Sequence, residues 1–374
     1  MDMLIGRNRR LKWTLAVLLG ATVAVLPLLR ADAAPTFSRL SGVDRYATSA
    51  AVSAASFSPG VGTAFVATGD NFPDALATGP VAAKAGGPVL LVPSSGSMPS
   101  SITSELTRLH PGKIVVVGGT SAVTTSTQTA LGSYTSGGVT RVSGNDRYET
   151  AANLSAATYL SPPIDTVYIA TGENFPDAMT AGPAAANAPS GGGPVLLVQA
   201  NSIPSATTTE LMRLKPKTIV IVGGTSAVSD AVRAQLGLYA ATVVRRSGAD
   251  RFLTSVDVSK NTFATGASTV YLATGANYPD ALAGGPPAGI NKAPVLLVQK
   301  DCITPEVDAE ITRLNPTNVI ILGGESAVSA AVMGRTVCQP QATSSTLPFP
   351  VTGTPTTYCF PAGTPGLPPG TPTC

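Results

Sequence analysis

The chain has 374 residues, of which 44% are apolar and 12% charged, a balance that excludes a disordered chain. Its formal charge of +3 comes from the first 33 residues, which hold five of the 24 Lys and Arg and two of the 21 Asp and Glu; the remainder carries 19 of each sign. A neutral chain with scattered charge lacks the concentrated basic face that nucleic-acid binding needs, so no nucleic-acid partner is expected.

Residues 1–33 read as an export signal. Arg7, Arg9, Arg10 and Lys12 form a basic head, an apolar stretch runs from Trp13 to Leu29, and Ala31-Asp32-Ala33 is a small-x-small cleavage site. The apolar stretch contains Pro27 and is short for a span of about 20 residues, so no permanent membrane span is expected after cleavage at Ala33.

Beyond the leader, helix-length segments alternate with short apolar runs. A helix is expected over 44–57, a strand over 64–67, a helix over 72–85 and a strand over 88–92. A helix over 100–109, a strand over 114–117 and a helix over 121–131 follow. The strand runs are continuous and rich in β-branched residues, as in strands buried on both faces of a parallel sheet, so the expected class is α/β.

This whole order occurs three times. TGDNFPDALATGP starts at Thr68, TGENFPDAMTAGP at Thr171 and TGANYPDALAGGP at Thr274, a spacing of 103 residues both times. RLSGVDRY at Arg39 matches RVSGNDRY at Arg141 and RRSGADRF at Arg245. PVLLV recurs at Pro88, Pro194 and Pro294, and GGTSAV at Gly118 and Gly223 becomes GGESAV at Gly323. A period near 100 is too long for a solenoid repeat of about 20–50 residues, so each copy is domain-sized. The copies are assigned to 36–139, 140–243 and 244–338. Residues 339–374, crowded with Pro, Thr, Gly and Ser, are expected to form an unstructured tail.

The repeated loops admit structural and functional readings. Asn71, Asn174 and Asn277 suit helix N-caps, with Asp74, Asp177 and Asp280 near the positive helix end. Gly118-Gly119, Gly223-Gly224 and Gly323-Gly324 form either a tight strand-to-helix turn or a nest of N–H groups for an anion. Arg45, Arg147 and Arg251 each follow another Arg by six residues: Arg39, Arg141 and Arg245. Such pairs can hold carboxylate or phosphate. The competing reading pairs each with Asp74 or with an Asp of a neighbouring copy.

No catalytic constellation emerges. His110 is the one His and is replaced by Lys215 and Asn315 in the other copies, and no nucleophile elbow or His-rich metal set is present. No catalytic residue, metal or cofactor is therefore assigned. Cys302, Cys338, Cys359 and Cys374 suit disulfides in an exported chain, with Cys302–Cys338 closing the third copy and Cys359–Cys374 a loop in the tail.

The tripled order of these motifs resembles the cell-wall-binding repeat type 2 family, over about residues 36–338. The resemblance implies three Rossmann- or Toprim-like units packed as a pseudo-threefold trimer. It also implies non-covalent attachment of an exported surface protein to the Gram-positive wall, through an anionic polymer of the teichoic-acid kind or through peptidoglycan. The family's Pro-Ile-Leu-Leu string falls on Pro88-Val89-Leu90-Leu91, on Pro194 with Leu196 and Leu197, and on Pro294 with Leu296 and Leu297. A non-catalytic partner of a wall amidase and a structural surface-layer or adhesive protein are the alternatives.

Overall fold

The computed structural model describes residues 34–339 except 72, 175 and 278. The leader, the tail from residue 340, and the Cys359–Cys374 pair lie outside the described residues.

Twelve strands among the described residues form three four-stranded parallel sheets. They are β1 (Thr36–Leu40), β2 (Thr63–Thr68), β3 (Val89–Val92), β4 (Lys113–Val117), β5 (Val139–Val142), β6 (Thr166–Thr171), β7 (Val195–Val198), β8 (Thr218–Val222), β9 (Thr242–Arg246), β10 (Thr269–Thr274), β11 (Val295–Val298) and β12 (Asn318–Leu322). The orders are β3-β2-β4-β5, β7-β6-β8-β9 and β11-β10-β12-β1. The first two strands of each order are buried almost throughout, which is why their sequences read as unbroken apolar runs rather than alternating ones.

The fourth strand of every sheet comes from the start of the following copy. β5 pairs with β4, β9 with β8, and β1 pairs with β12, from Thr36↔Asn318 to Leu40↔Leu322. The N-terminal strand therefore closes a ring with the third copy. Sequence reading expected three strands per copy. The fourth is half-exposed and carries Arg and Thr, so its pattern does not announce a strand.

Helices complete the ring. Arg45–Ser56 packs on β3 and on the helix Ser100–Leu109, and also on Pro279–Ile290 of the third copy. Arg251–Thr262 makes the equivalent contacts with β11, Pro305–Leu314 and Pro176–Ala186. The segment expected as one helix over 72–85 is two helices, Pro73–Leu76 and Thr78–Ala85. Thr78–Ala85, Pro176–Ala186 and Pro279–Ile290 meet on the pseudo-threefold axis. There Gly79, Gly182 and Gly285, the glycine before proline in each TG…GP motif, lie against one another. A Cβ on Gly285 would lie 3.7 Å from Gly79 Cα, and one on Gly79 would lie 3.9 Å from Gly182 Cα. The void left between them is only about 10 Å³. The end of the motif is thus the packing device that joins the copies.

Each copy also buries one carboxylate. Glu105, Glu210 and Glu310 accept a 2.5 Å hydrogen bond from Ser53, Ser155 and Ser259 and pair with Arg108, Arg213 and Arg313 three residues on. The same guanidiniums donate to the carbonyls of Phe57, Tyr159 and Phe263, so a charge buried to 5% exposure or less is fully engaged. Cys302 and Cys338 are bonded, as expected from the sequence, and tie the loop after β11 to the end of the third copy.

Candidate functional site: the seams between copies

The carboxyl ends of the parallel strands, where α/β sheets bind ligands, open at each seam between copies. The first cleft, of about 480 Å³, is lined on one side by Asp70, Asn71, Asp74, Ser94, Gly119 and Ser121. On the other it is lined by Asn145, Asp146, Arg147 and Thr150 of the second copy. The third, of about 150 Å³, faces Asn277, Asp280 and Gly324 across to Val43, Asp44, Arg45 and Thr48.

The seam chemistry is built by the repeated motifs. Asp44, Asp146 and Asp250 cap their helices by accepting from the N–H three residues on. This places Arg45, Arg147 and Arg251 in the first turn, where each donates at 2.5 Å to the carbonyl of Gly69, Gly172 or Gly275. Each Arg thus pins the TG loop of its own copy and presents its charge to the Asp of the preceding one. Burial raises the pKa of Asp74, Asp177 and Asp280. Hydrogen bonds to Thr150, Thr254 and Thr48, and attraction by Arg147, Arg251 and Arg45, oppose that rise. These threonines also accept from the N–H of Gly144, Gly248 and Gly42. Each seam is therefore an Asp–Thr–Arg junction.

Asp74 and its equivalents do sit in the first turn of their helices, as the sequence implied, but their carboxylates reach across the seam. Asn71 stands two positions before the first helical residue, Pro73. Gly118, Gly223 and Gly323 have φ near +100° (102, 115 and 98°). A Cβ on Gly118 or Gly223 would meet the Asp74 or Asp177 carboxylate at 2.5 Å. The double-glycine loop is thus a tight turn fitted against that carboxylate.

Arg39, Arg141 and Arg245 hold the same loop from the other side. Arg141 donates to the carbonyls of Gly118, Gly119 and Val123 at 2.6, 3.0 and 2.7 Å, and to Gln128. Arg39 donates to Gly323 and Ser329, and Arg245 to Gly223, Gly224 and Asp230. The paired guanidiniums expected to hold one anion together instead serve two loops. Pro88-Val89-Leu90-Leu91 and the strings at 194–197 and 294–297 are buried strand, so their side chains are enclosed. Sequence reading missed Thr48, Thr150 and Thr254, although each recurs three residues after the motif Arg. Among the described residues, no group of three or more His, Cys, Asp or Glu is placed to hold a metal ion. None of the described helices is long and apolar enough to cross a membrane.

The comparisons agree with this architecture. The chain is 30% identical over 295 residues to the N-acetylmuramoyl-L-alanine amidase LytC of Bacillus subtilis, covering 79% of this chain and 56% of that protein. It is 28% identical over 297 residues to the amidase enhancer of the same organism, covering 79% and 39%. The chain thus spans about half the length of these relatives or less. Among solved structures, Cwp8 from Clostridium difficile superposes with a TM-score of 0.71 at 28% identity, covering 79% of this chain and 50% of that one. Cwp6 from the same organism superposes at 0.72 and 24% identity, covering 81% and 48%, which shows the shared fold. The model of cell wall binding domain 2 matches residues 39–128, 141–233 and 245–333, three copies that fall on the three structural repeats, and the chain belongs to that family.

Proposed function

We propose that the protein anchors itself non-covalently to the bacterial wall by binding an anionic, teichoic-acid-like polymer, and that it does so without catalysing a reaction. The observation that carries this reading is the repetition of one Asp–Thr–Arg junction at three seams of a single closed ring. A repeating polymer offers the same group many times, and three linked weak sites gain avidity that one site lacks. Export to the wall by the predicted leader, assignment of 36–139, 140–243 and 244–338 as binding units, and contact through the motif arginines belong to the same proposal.

Sedimentation of the protein with isolated Bacillus subtilis walls, before and after mild acid removes the anionic polymer, tests it. Binding lost on stripping is expected. Binding that survives stripping identifies peptidoglycan as the receptor. No binding to either wall refutes the anchor and favours the surface-layer or adhesive reading. The names of the amidase and the amidase enhancer support a second reading, a non-catalytic partner of a wall hydrolase. Stimulation of an amidase on the same walls is its test.

A further inference from the structure

The three seams share their junction residues but differ at the rim, and the copies act as internal controls for one another. This inference rests on the wall-polymer reading and assigns the anion to one copy.

In copy 1, the Asp70 carboxylate lies beside Arg45 at the mouth of the first cleft. It accepts from Tyr46 Oη at 2.6 Å, from the Ser94 N–H at 2.8 Å and from Ser94 Oγ at 2.7 Å. Three donors converging on two oxygens, within reach of the Arg45 charge, make an oxyanion position. In copy 1 the chain fills this position with its own side chain. Copy 2 has Glu173 at the matching residue, with the Tyr148 phenol close enough to feel its charge. Copy 3 changes all three partners together: Phe252 replaces the tyrosine, Ala276 the acid, and Lys300 stands where the other copies have Ser94 and Ala200. The rest of the frame persists. Arg251 still donates to Gly275 at 2.5 Å, the Ala276 N–H still bonds Thr274 Oγ1 as Asp70 bonds Thr68, and Ala276 and Lys300 are exposed.

The rims thus carry Arg45 with Asp70, Arg147 with Glu173, and Arg251 with Lys300. Counting the seam carboxylates that these arginines face, Asp280, Asp74 and Asp177, the first two sum formally to −1 and the third to +1, a difference of two charges. We propose that the rim of copy 3, formed by Arg251, Ala276 and Lys300, is an oxyanion subsite for a phosphodiester or carboxylate group of the wall polymer. Copy 1 fills the same position with its own carboxylate, and copy 2 carries Glu173 at the matching residue. The polymer is therefore gripped asymmetrically, with its charged group at copy 3.

The test exchanges rims within the full chain. Ala276→Asp with Lys300→Ser gives copy 3 the rim residues of copy 1 there, and Asp70→Ala with Ser94→Lys does the reverse. All four positions are at least partly exposed, and circular dichroism checks that each variant keeps the wild-type fold. The first variant is expected to bind Bacillus subtilis walls about tenfold more weakly, with a shallower salt dependence, since two nearby charges are lost. The second is expected to bind at least as well as wild type. If wild type binds and the first variant binds equally well with the same salt dependence, the subsite is refuted while the anchor stands. If wild type does not bind walls, the anchor itself fails. A loss of wild-type binding on acid stripping identifies the oxyanion as phosphodiester. Binding that survives stripping and still falls in the first variant identifies a carboxylate.

Discussion

Replacing Arg141 separates a structural role from a ligand-binding one. Its guanidinium holds three carbonyls of one loop, Gly118, Gly119 and Val123, between 2.6 and 3.0 Å. A hydrogen bond from a charged donor contributes about 1.5–3 kcal/mol, so a plain sum for three reaches roughly 5–9 kcal/mol. The donors share one group and the site is half-buried, so water recovers part of the loss and the terms do not add. Arg141→Ala is therefore expected to cost about 3–5 kcal/mol, and Arg141→Lys less but still about 2 kcal/mol, because one ammonium cannot span the fork. Arg39→Lys is expected to cost less again, since Arg39 holds two carbonyls, one of them at 3.3 Å. Urea unfolding followed by circular dichroism measures the cost, and wall sedimentation of the folded fraction measures binding. An Arg141→Lys protein that unfolds like wild type yet no longer binds walls would refute the structural assignment.

Gly87→Ala is expected to cost several kcal/mol, because its methyl would overlap the Thr63 carbonyl, whereas Gly79→Ala, with 3.9 Å to spare, is expected to be neutral or to gain up to about 1 kcal/mol of helix propensity; melting temperatures decide. Burial raises the pKa of Asp74 above 3.8, so its ionisation costs stability as pH rises past the unfolded value. Asp74→Asn should therefore gain on wild type between about pH 4 and pH 7, and equal urea-midpoint differences at both would contradict this. Replacing Cys302 and Cys338 by Ser frees a loop of sequence separation 36 and is expected to cost about 4 kcal/mol by chain entropy, read from the loss of unfolding free energy. Residues 34–138 alone are expected to form a homotrimer, strand 36–40 of each molecule pairing with β4 of the next; sedimentation equilibrium of a folded monomer would contradict it.

The parts legible in the sequence were those whose cause is local. β2, β3 and β4 announced themselves because burial on both faces leaves apolar runs. The Asp44 cap is equally local, since its partner is the N–H three residues away. His110, Lys215 and Asn315 are exposed helix ends with φ between 43 and 49°. What stayed hidden depends on distant partners. β1 reads as loop until Asn318–Leu322 lies beside it, and Arg39 finds Gly323 284 residues away. The Arg pairs looked like anion clamps because their charge is visible in sequence, while the carbonyls that occupy them are not. The helix expected from 121 begins at Thr125, because the preceding residues form the turn that Arg141 grips and Thr124 supplies the cap.

The ring also explains why the loop is tripled. A single copy carries a strand it cannot use and a sheet edge it cannot fill, since β1 belongs beside β12 and β4 needs β5. Its Arg45 and Thr48 likewise face an Asp that another copy must supply. Two copies in a chain would satisfy one seam and leave an open edge at each end, a template for uncontrolled strand pairing. The central glycines converge in threes, so the ring closes at the third copy with every donated strand, junction and helix matched. Closure makes each cleft depend on two copies, which holds the seam residues rigid while leaving the rim free to vary. Thus the Asp–Thr–Arg junctions are the same three times over, whereas the rim residues 70, 173 and 276 diverge. Symmetry is kept where the fold requires it and is broken where the proposed ligand would touch.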